Sequence, residues 1–378
     1  MHRVKSNLTQ QIRRSLIALT VLVFLLTIST FIPLPTPLFF SLVLLISACQ
    51  ASAGAYLQSA VMALASLFGP SAIQPVMSGQ AAVGVLVSLV QVLSAGVGIH
   101  LAGPSGDKDT SAPRAAFLFF GLSTLFLIFT ITSHGWLVTM PVYKMVVLPF
   151  EAKKGITGAD EERETLVGSD DRLPLKQGRI RDVAKMNAEY NFAGAYVFAV
   201  TLSVFPPITS SIHSVHPPSA SPLTHPLLFT ALHFLTFNIG DFIGRYLPTL
   251  RHFQFWSSRR LMYSSISRTL FVPLFLLCNV QRPSSLVSAT VVGEPVITSD
   301  VAFFLILLVF GVTNGWIVSL VMMAAPSLEH NPRLKHKPED VDTAATIAQF
   351  CLVGGLAVGS LMSFGVKGAI CACNPFMS

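Results

Sequence analysis

The chain has 378 residues, of which 52% are hydrophobic and only 11% are charged, and its mean hydropathy is +0.64. Soluble globular proteins carry about 25% charged residues, so this composition excludes a soluble protein and indicates a polytopic membrane protein. The net charge of +7 gives no argument for nucleic-acid binding, because the basic residues are spread over short segments between apolar runs.

Apolar runs long enough to cross a bilayer recur along the whole chain. A helix needs about 20 apolar residues to cross the hydrocarbon core. The pair Gly69-Pro70 predicts a tight turn between the second and the third run. We therefore predict nine transmembrane helices, at residues 15–33, 38–66, 72–100, 115–142, 188–208, 226–247, 262–280, 300–325 and 342–366.

One segment between the runs is long and carries charges of both signs. Residues 150–187 include the stretch EAKKGITGADEERETLVGSDDRLPLKQGRIRD, which predicts a flexible cytosolic linker. The linker would separate an N-terminal bundle of four spans, in residues 1–149, from a C-terminal bundle of five spans, in residues 188–378. An alternative is that the acidic part of the linker is a regulatory or ubiquitin-ligase target.

The distribution of Lys and Arg predicts the orientation in the membrane. With the N-terminus in the cytosol, almost all of these residues fall in cytosolic segments, as the positive-inside rule requires. The exceptions are Lys108, Arg114, Arg282 and Lys367. Together with nine spans, this predicts a cytosolic N-terminus and an extracytosolic C-terminus.

The sixth run contains FNIGDFIGRYLP, Phe237 to Pro248, which places full charges in an apolar segment. Asn238, Asp241 and Arg245 recur at helical spacing and share one face. An isolated charge at the bilayer centre costs about 2.5–3.5 kcal/mol, so this face is expected to line the bundle interior or a water-filled path for a hydrophilic solute. The alternative is a structural ion pair at the inner helix end, with Arg245 reaching water.

The second and third runs combine small residues with amides. Gly54 precedes Gln58 by one helical turn in the second run, and Gly79 and Gly84 lie in the third. Small residues allow helices to pack closely, and an amide offers both a donor and an acceptor. The glycines are therefore predicted to be packing positions, while Gln58 either binds a polar ligand or bonds to another helix.

The last two runs contain further helix-disturbing and small residues. Asn314-Gly315 is predicted to loosen the eighth helix, and Pro326 is predicted to end it. The ninth run is predicted to present a close-packing glycine face, formed by Gly354, Gly355 and Gly359.

Familiar catalytic and metal-binding patterns do not occur in the sequence. It has no Walker motif, no HExxH and no cysteine–histidine spacing typical of a metal site. We therefore expect neither an enzyme nor an ATP-driven pump, and we expect no cofactor and no metal ion.

Several motifs together resemble the equilibrative nucleoside transporter family. FNIGDFIGRYLP resembles that family's eighth helix, and GAYLQSAVMALASLFGP followed by SAIQPVMSGQAAVG resembles its fourth helix and the start of its fifth. VFAVTLSVFPPITSSI resembles the seventh helix, and TNGWIVSLVMMAAPS and DTAATIAQFCLVGGLAVGSLMSF resemble the tenth and eleventh. The form of RTLFVPLFLLCN and the ending MMAAPS are most similar to fungal members.

The resemblance implies a correspondence between the helices of this chain and those of the family. Family members have eleven spans, a cytosolic N-terminus and a long cytosolic loop after the sixth span. The nine spans predicted here would be family helices three to eleven, so we expect that this chain lacks the first two. The Pro-Trp-Asn motif of the family's first helix is not found in the sequence.

The resemblance also implies a fold, a function and a site. The fold would be all-α and major-facilitator-like, with two helix bundles that rock around a central site. The function would be facilitated diffusion of purine and pyrimidine nucleosides by a monomer in the lipid bilayer of the plasma membrane or the vacuole, without nucleic acid as a partner. Gln58 would bind the nucleobase, Asp241 and Arg245 would bind the ribose hydroxyls, and Asn238 would support them. Positions expected to affect packing and transport are Gly54, Gly79, Gly84 and Asn314.

Alternative functions are a truncated, non-transporting family member and a carrier of nucleobases or of another small polar solute. The pairing of Asp241 with Arg245 leaves no net charge to attract a cation, and it favours transport that is not coupled to protons.

Overall fold

The computed structural model describes residues 8–32, 35–101, 111–152, 172–217, 220–280 and 296–371. These residues are almost entirely helical, and their only β-type pairing is an isolated bridge between Ile212 and Val280. The helices are α1 (Leu8–Ser29), α2 (Thr36–Leu67), α3 (Pro70–Leu101), α4 (Ser111–Thr139), α5 (141–152), α6 (Arg172–Met186), α7 (Ala188–Val204), α8 (Pro226–Tyr246), α9 (Ser258–Ser267), α10 (Phe271–Leu276), α11 (Asp300–Ala324) and α12 (Val341–Cys371).

Eight helical segments of the described residues are long and apolar enough to cross a membrane, which confirms a polytopic helical membrane protein. The predicted run at 262–280 is not among them. There the chain forms the ten-residue α9, a 3₁₀ turn at Arg268–Leu270 and the six-residue α10, and neither α-helix is long enough to span alone.

The turn between α2 and α3 agrees with the sequence prediction. Gly69 has a φ of +89°, a backbone conformation that glycine adopts without steric cost, and Pro70 begins α3. The turn therefore lets two long helices follow each other directly.

The described helices form two compact units. One consists of Met1–Phe68 with Pro104–Arg181, and the other of Gly69–Gly103 with Asp182–Ser378, so α3 groups with the C-terminal helices. The division into bundles at residues 150–187 stays a prediction. Residues 153–171 of the predicted linker lie outside the described residues, and Arg172–Met186 is helical.

In the first unit, α1 packs against α2 and α4. The Glu151 carboxylate accepts hydrogen bonds from the Thr9 backbone nitrogen at 3.2 Å and the Thr9 hydroxyl at 2.9 Å. The Tyr143 hydroxyl lies 2.8 Å from the same Thr9 oxygen. These bonds fasten α5 to the first turn of α1, where backbone N–H groups have no partner within the helix.

In the second unit, α8 and α11 pack with their backbones in direct contact. Gly240 and Gly244 of α8 face Gly311 and Gly315 of α11, so each helix carries a pair of glycines spaced by four residues. A Cβ atom added to Gly240 would lie 2.5 Å from the carbonyl oxygen of Leu308, and one on any of the other three would lie closer still to a backbone oxygen. This is the small-xxx-small packing of membrane helices, which allows the closest approach of two backbones.

The prediction that Asn314-Gly315 loosens its helix is therefore wrong. α11 is continuous from Asp300 to Ala324, and Gly315 serves the contact with α8 instead. The predicted effect of Pro326 is confirmed, because α11 ends two residues before it.

The glycine face predicted for the last helix is confirmed at two of its three positions. A Cβ added to Gly355 or Gly359 would collide with the backbone oxygen of Ala195 or Ala199 in α7. An added Cβ at Gly354 would meet no atom within 4 Å, so this residue is not part of the contact. The pairs α8–α11 and α7–α12 thus form the tightly packed frame of the second unit.

Candidate functional site

Asp241 and Arg245 of α8 form a buried ion pair in the second unit. Arg245 Nε donates to Asp241 Oδ2 at 2.9 Å, and each side chain is only 8% exposed. The two residues are one helical turn apart, as the sequence spacing predicted. Arg245 does not extend to water at the helix end, which was the alternative. Its guanidinium points instead toward Asp241, one turn earlier in the helix, and is buried.

Helix α3 supplies the next partners of the guanidinium. Arg245 Nη1 donates to the Met77 carbonyl oxygen at 3.1 Å and to Gln80 Oε1 at 3.2 Å. Gln74 Nε2 reaches the Arg245 carbonyl oxygen at 3.4 Å. Arg245 Nη2 makes no hydrogen bond within the described residues, so its two N–H groups are left for another acceptor.

The second oxygen of Asp241 is held from α11. Asn314 Nδ2 donates to Asp241 Oδ1 at 2.6 Å, and Asn314 is 2% exposed. The glycine contacts between α8 and α11 bring these side chains within reach. Asn314, predicted as a packing or transport-sensitive position, is thus a direct partner of the carboxylate.

A second buried arginine belongs to the same network. Arg268 is 1% exposed, and its Nη2 donates to the Thr201 hydroxyl at 2.9 Å and to Asn314 Oδ1 at 3.4 Å. Its Nη1 donates to the Phe310 carbonyl oxygen at 2.9 Å, and the guanidinium carbon lies 4.4 Å from the centre of the Phe310 ring.

Arg268 was counted with the cytosolic cations in the sequence prediction, and its role was missed. The sequence does contain an indication that Arg268 is buried, because the residue lies inside the apolar run 262–280. A cation well inside such a run is more informative about a buried polar site than about topology.

The network joins side chains from five segments of the second unit. It contains two guanidinium groups and one carboxylate, and each oxygen of Asp241 already accepts one hydrogen bond. It therefore has an excess of positive charge and of donors. Its members are Gln80, Asp241, Arg245, Arg268, Thr201 and Asn314.

Asn238 lies on the same helix as the ion pair but makes separate contacts. Its Nδ2 donates to Ser88 Oγ of α3 at 2.7 Å and to the Phe234 carbonyl oxygen at 3.0 Å. A Cβ added to Gly84 would lie 2.6 Å from Asn238 Oδ1, whereas one added to Gly79 would meet nothing within 4 Å. Gly84 is therefore the position of α3 that leaves room for the Asn238 amide.

We expect Gly84→Ala to reduce transport severalfold while Gly79→Ala leaves it unchanged. The new methyl group must displace the Asn238 amide, which breaks its bond to Ser88 and costs about 1 kcal/mol. Initial uptake rates normalised to surface expression test this. Equal effects of the two substitutions would show that the contact with Asn238 is irrelevant.

Gln58 and Gly54 lie on α2, in the first unit. Both are half-buried, and a Cβ added to Gly54 would meet no atom within 4 Å. Gln58 makes no hydrogen bond within the described residues. The binding role of Gln58 and the packing role of Gly54 stay predictions.

Comparison with known proteins identifies the family. A family model described as "Nucleoside transporter" matches residues 43–367. The human protein "Equilibrative nucleoside transporter 1" is 29% identical over 365 residues, which are 93% of this chain and 74% of that protein.

Two further relatives also have names of equilibrative transporters. Human "Equilibrative nucleoside transporter 2" is 37% identical over 173 residues, 45% of this chain and 34% of that protein. The Arabidopsis thaliana protein "Equilibrative nucleotide transporter 1" is 27% identical over 316 residues, 82% of this chain and 60% of that protein. The family match extends over most of the sequence and includes both α3 and α8, so the chain belongs to the equilibrative nucleoside transporter family.

Proposed function

We propose that this protein carries nucleosides across a membrane by facilitated diffusion, with alternating access to a site that includes the Asp241–Arg245 pair. The observation that carries the proposal is a buried network of charged and amide side chains inside the spans of a member of this family. Relatives that this chain matches are named nucleoside transporters. Members of this family are transporters and not enzymes.

The chemistry of the network suits a neutral, polar solute rich in oxygen. A nucleoside offers ribose hydroxyls and base carbonyls as hydrogen-bond acceptors, and Arg245 has two N–H groups of Nη2 available for them. Gln58 has the donor and the acceptor that a nucleobase edge requires, and we assign it that contact. The two guanidinium groups outnumber the single carboxylate, which disfavours a cation as cargo.

Charged groups inside spans are expensive, so their presence needs a reason. A structural ion pair can often be replaced by apolar residues without loss of stability, whereas a site for polar cargo cannot. We infer that the network persists because a water-filled path and a polar solute reach it. Rocking of an N-terminal bundle (1–149) against a C-terminal bundle (188–378) would expose the site to each side in turn.

Transport is proposed to be uncoupled from protons. Asp241 Oδ2 bonds to Arg245, and Oδ1 bonds to Asn314, so both carboxylate oxygens accept hydrogen bonds that protonation would disturb. Nucleosides should therefore equilibrate across the membrane and not accumulate.

We further propose a monomer with its N-terminus in the cytosol and its C-terminus on the opposite side, in the plasma membrane or the vacuolar membrane. The distribution of Lys and Arg supports this orientation.

The test is uptake of radiolabelled uridine and adenosine by cells that lack their own nucleoside carriers. We expect saturable uptake that stops at the outside concentration and that unlabelled nucleoside inhibits, and we expect Arg245→Ala to abolish it. Arg260→Ala removes an exposed cation from α9 and serves as the control. Accumulation above the outside concentration after a pH jump would refute uncoupled transport, and no uptake by a surface-expressed protein would refute the function.

A further inference from the structure

Gln80 of α3 is a polar residue in an unusual place. It lies about 15 Å along the helix from Pro70, well inside an apolar span, yet its side chain is exposed. Its only hydrogen bond within the described residues is the one that Oε1 accepts from Arg245 Nη1 at 3.2 Å.

The bond to Arg245 fixes which way the amide points. A guanidinium has donors but no acceptor, so Gln80 must present its oxygen to Arg245 and its NH2 group away from it. An amide nitrogen without a partner is costly in hydrocarbon, where nothing can accept its hydrogen bonds. The exposed NH2 group of Gln80 therefore belongs on the water-filled path that the proposed function requires.

Two donor groups are thus adjacent and unused. The Gln80 amide oxygen accepts a hydrogen bond from Arg245 Nη1, which places the NH2 group of the same amide beside the guanidinium. Arg245 Nη2 also has no partner within the described residues. The side chains of Asp241 and Arg245 are equally buried, at 8% exposed, but each oxygen of Asp241 already accepts a hydrogen bond from the protein. The accessible chemistry at this point is therefore donation and not acceptance.

We propose that Gln80 is a substrate-binding residue that, with Arg245, donates hydrogen bonds to the vicinal 2′ and 3′ oxygens of the ribose. Two neighbouring donors match two neighbouring oxygen acceptors. A nucleobase edge instead offers donors and acceptors side by side, which a pair of donors does not match. This inference rests on the proposed function and assigns to Gln80 the second ribose contact, which the family resemblance implies for Asp241.

The experiment measures how well uridine, 2′-deoxyuridine and 3′-deoxyuridine compete with labelled uridine for uptake. In Gln80→Leu we expect the half-inhibitory concentration of uridine to rise about three- to tenfold. The half-inhibitory concentration of the deoxyuridine that lacks the hydroxyl contacted by Gln80 should not change. The variant therefore loses the discrimination between uridine and that deoxyuridine. Gln80→Glu can still accept from Arg245 but has no NH2 group, and it should lose the same discrimination.

Gln91→Leu is the matched control, because Gln91 is an exposed amide on the same helix without a hydrogen bond to another described residue. This variant should keep the discrimination of the parent. The inference is overturned if Gln80→Leu weakens all three competitors equally or changes none of them. If a variant carries no substrate, the shift in Tm that each nucleoside produces in the purified protein gives the same ratio. A parent protein that carries no nucleoside refutes the proposed function itself, whereas a transporting parent with unchanged discrimination in Gln80→Leu refutes only this inference.

Discussion

Replacing Asp241 with alanine is expected to reduce nucleoside uptake to background and to lower the free energy of unfolding by about 3–5 kcal/mol. The substitution removes the only carboxylate of the network and leaves Arg245 and Arg268 buried with no carboxylate bonded to either of them within the described residues. It also leaves the Asn314 amide without its acceptor at 2.6 Å. Denaturant unfolding of the purified protein in detergent and uptake normalised to surface expression measure the two effects.

A double variant separates the contribution to stability from the contribution to transport. In Asp241→Asn with Arg245→Gln both charges of the pair are removed together, so no uncompensated charge remains on α8 and part of the stability should return. Uptake should not return, because the donors of Arg245 are lost. Glu329→Gln is the surface control, since the Glu329 side chain is 78% exposed, and it should change stability by less than about 0.5 kcal/mol. If the double variant transported nucleosides normally, the pair would be structural only.

The part of the site that lies on one helix could be predicted from the sequence. Asn238, Asp241 and Arg245 recur at helical spacing within an apolar run, and both the helix and its internal ion pair follow from that pattern. Hydropathy likewise predicted the eight described helical segments that are long and apolar enough to cross a membrane, because length and apolarity alone define such a candidate.

The partners on other helices could not be predicted in this way. Helical spacing places side chains on one face of a helix but does not say which helix that face meets. Asn314 reaches Asp241 only because four glycines bring α8 and α11 into backbone contact. From the sequence alone, a glycine that weakens a helix cannot be told from a glycine at a close helix contact. Only the α8 backbone beside Gly315 shows that this glycine serves packing.

Arg268 illustrates a second limit, because a cation near a helix end has two interpretations. The positive-inside rule counts it as a topology signal, while its place in an apolar run marks it as a buried polar group. The structure supports the second interpretation, because Arg268 begins the 3₁₀ turn between α9 and α10 and is only 1% exposed.

Replacing Arg268 with alanine is expected to reduce uptake at least tenfold and to lower the free energy of unfolding by about 1.5–3 kcal/mol. Its guanidinium donates to the Thr201 hydroxyl, the Phe310 carbonyl oxygen and Asn314 Oδ1 at once, and all of these charge-assisted bonds are lost. Thr201 still donates to Asn314 Oδ1, and Thr313 still donates to the Phe310 carbonyl oxygen. The bond to Asn314 also has a directional effect. The Thr201 hydroxyl at 2.8 Å and Arg268 Nη2 at 3.4 Å both donate to Asn314 Oδ1, so the amide nitrogen of Asn314 faces Asp241.

Arg268→Lys tests whether the shape of the group matters or only its charge. An ammonium keeps the positive charge but cannot reproduce the planar fork that reaches from Thr201 to Phe310, so we expect most of the loss to remain. Arg260→Ala on the exposed part of α9 should leave both uptake and stability unchanged. Full uptake by Arg268→Lys would mean that the network needs a buried charge at this position and no particular geometry. Full uptake by Arg268→Ala would mean that the Thr201 hydroxyl, which donates to Asn314 Oδ1 at 2.8 Å, is sufficient to keep the Asn314 amide directed at Asp241.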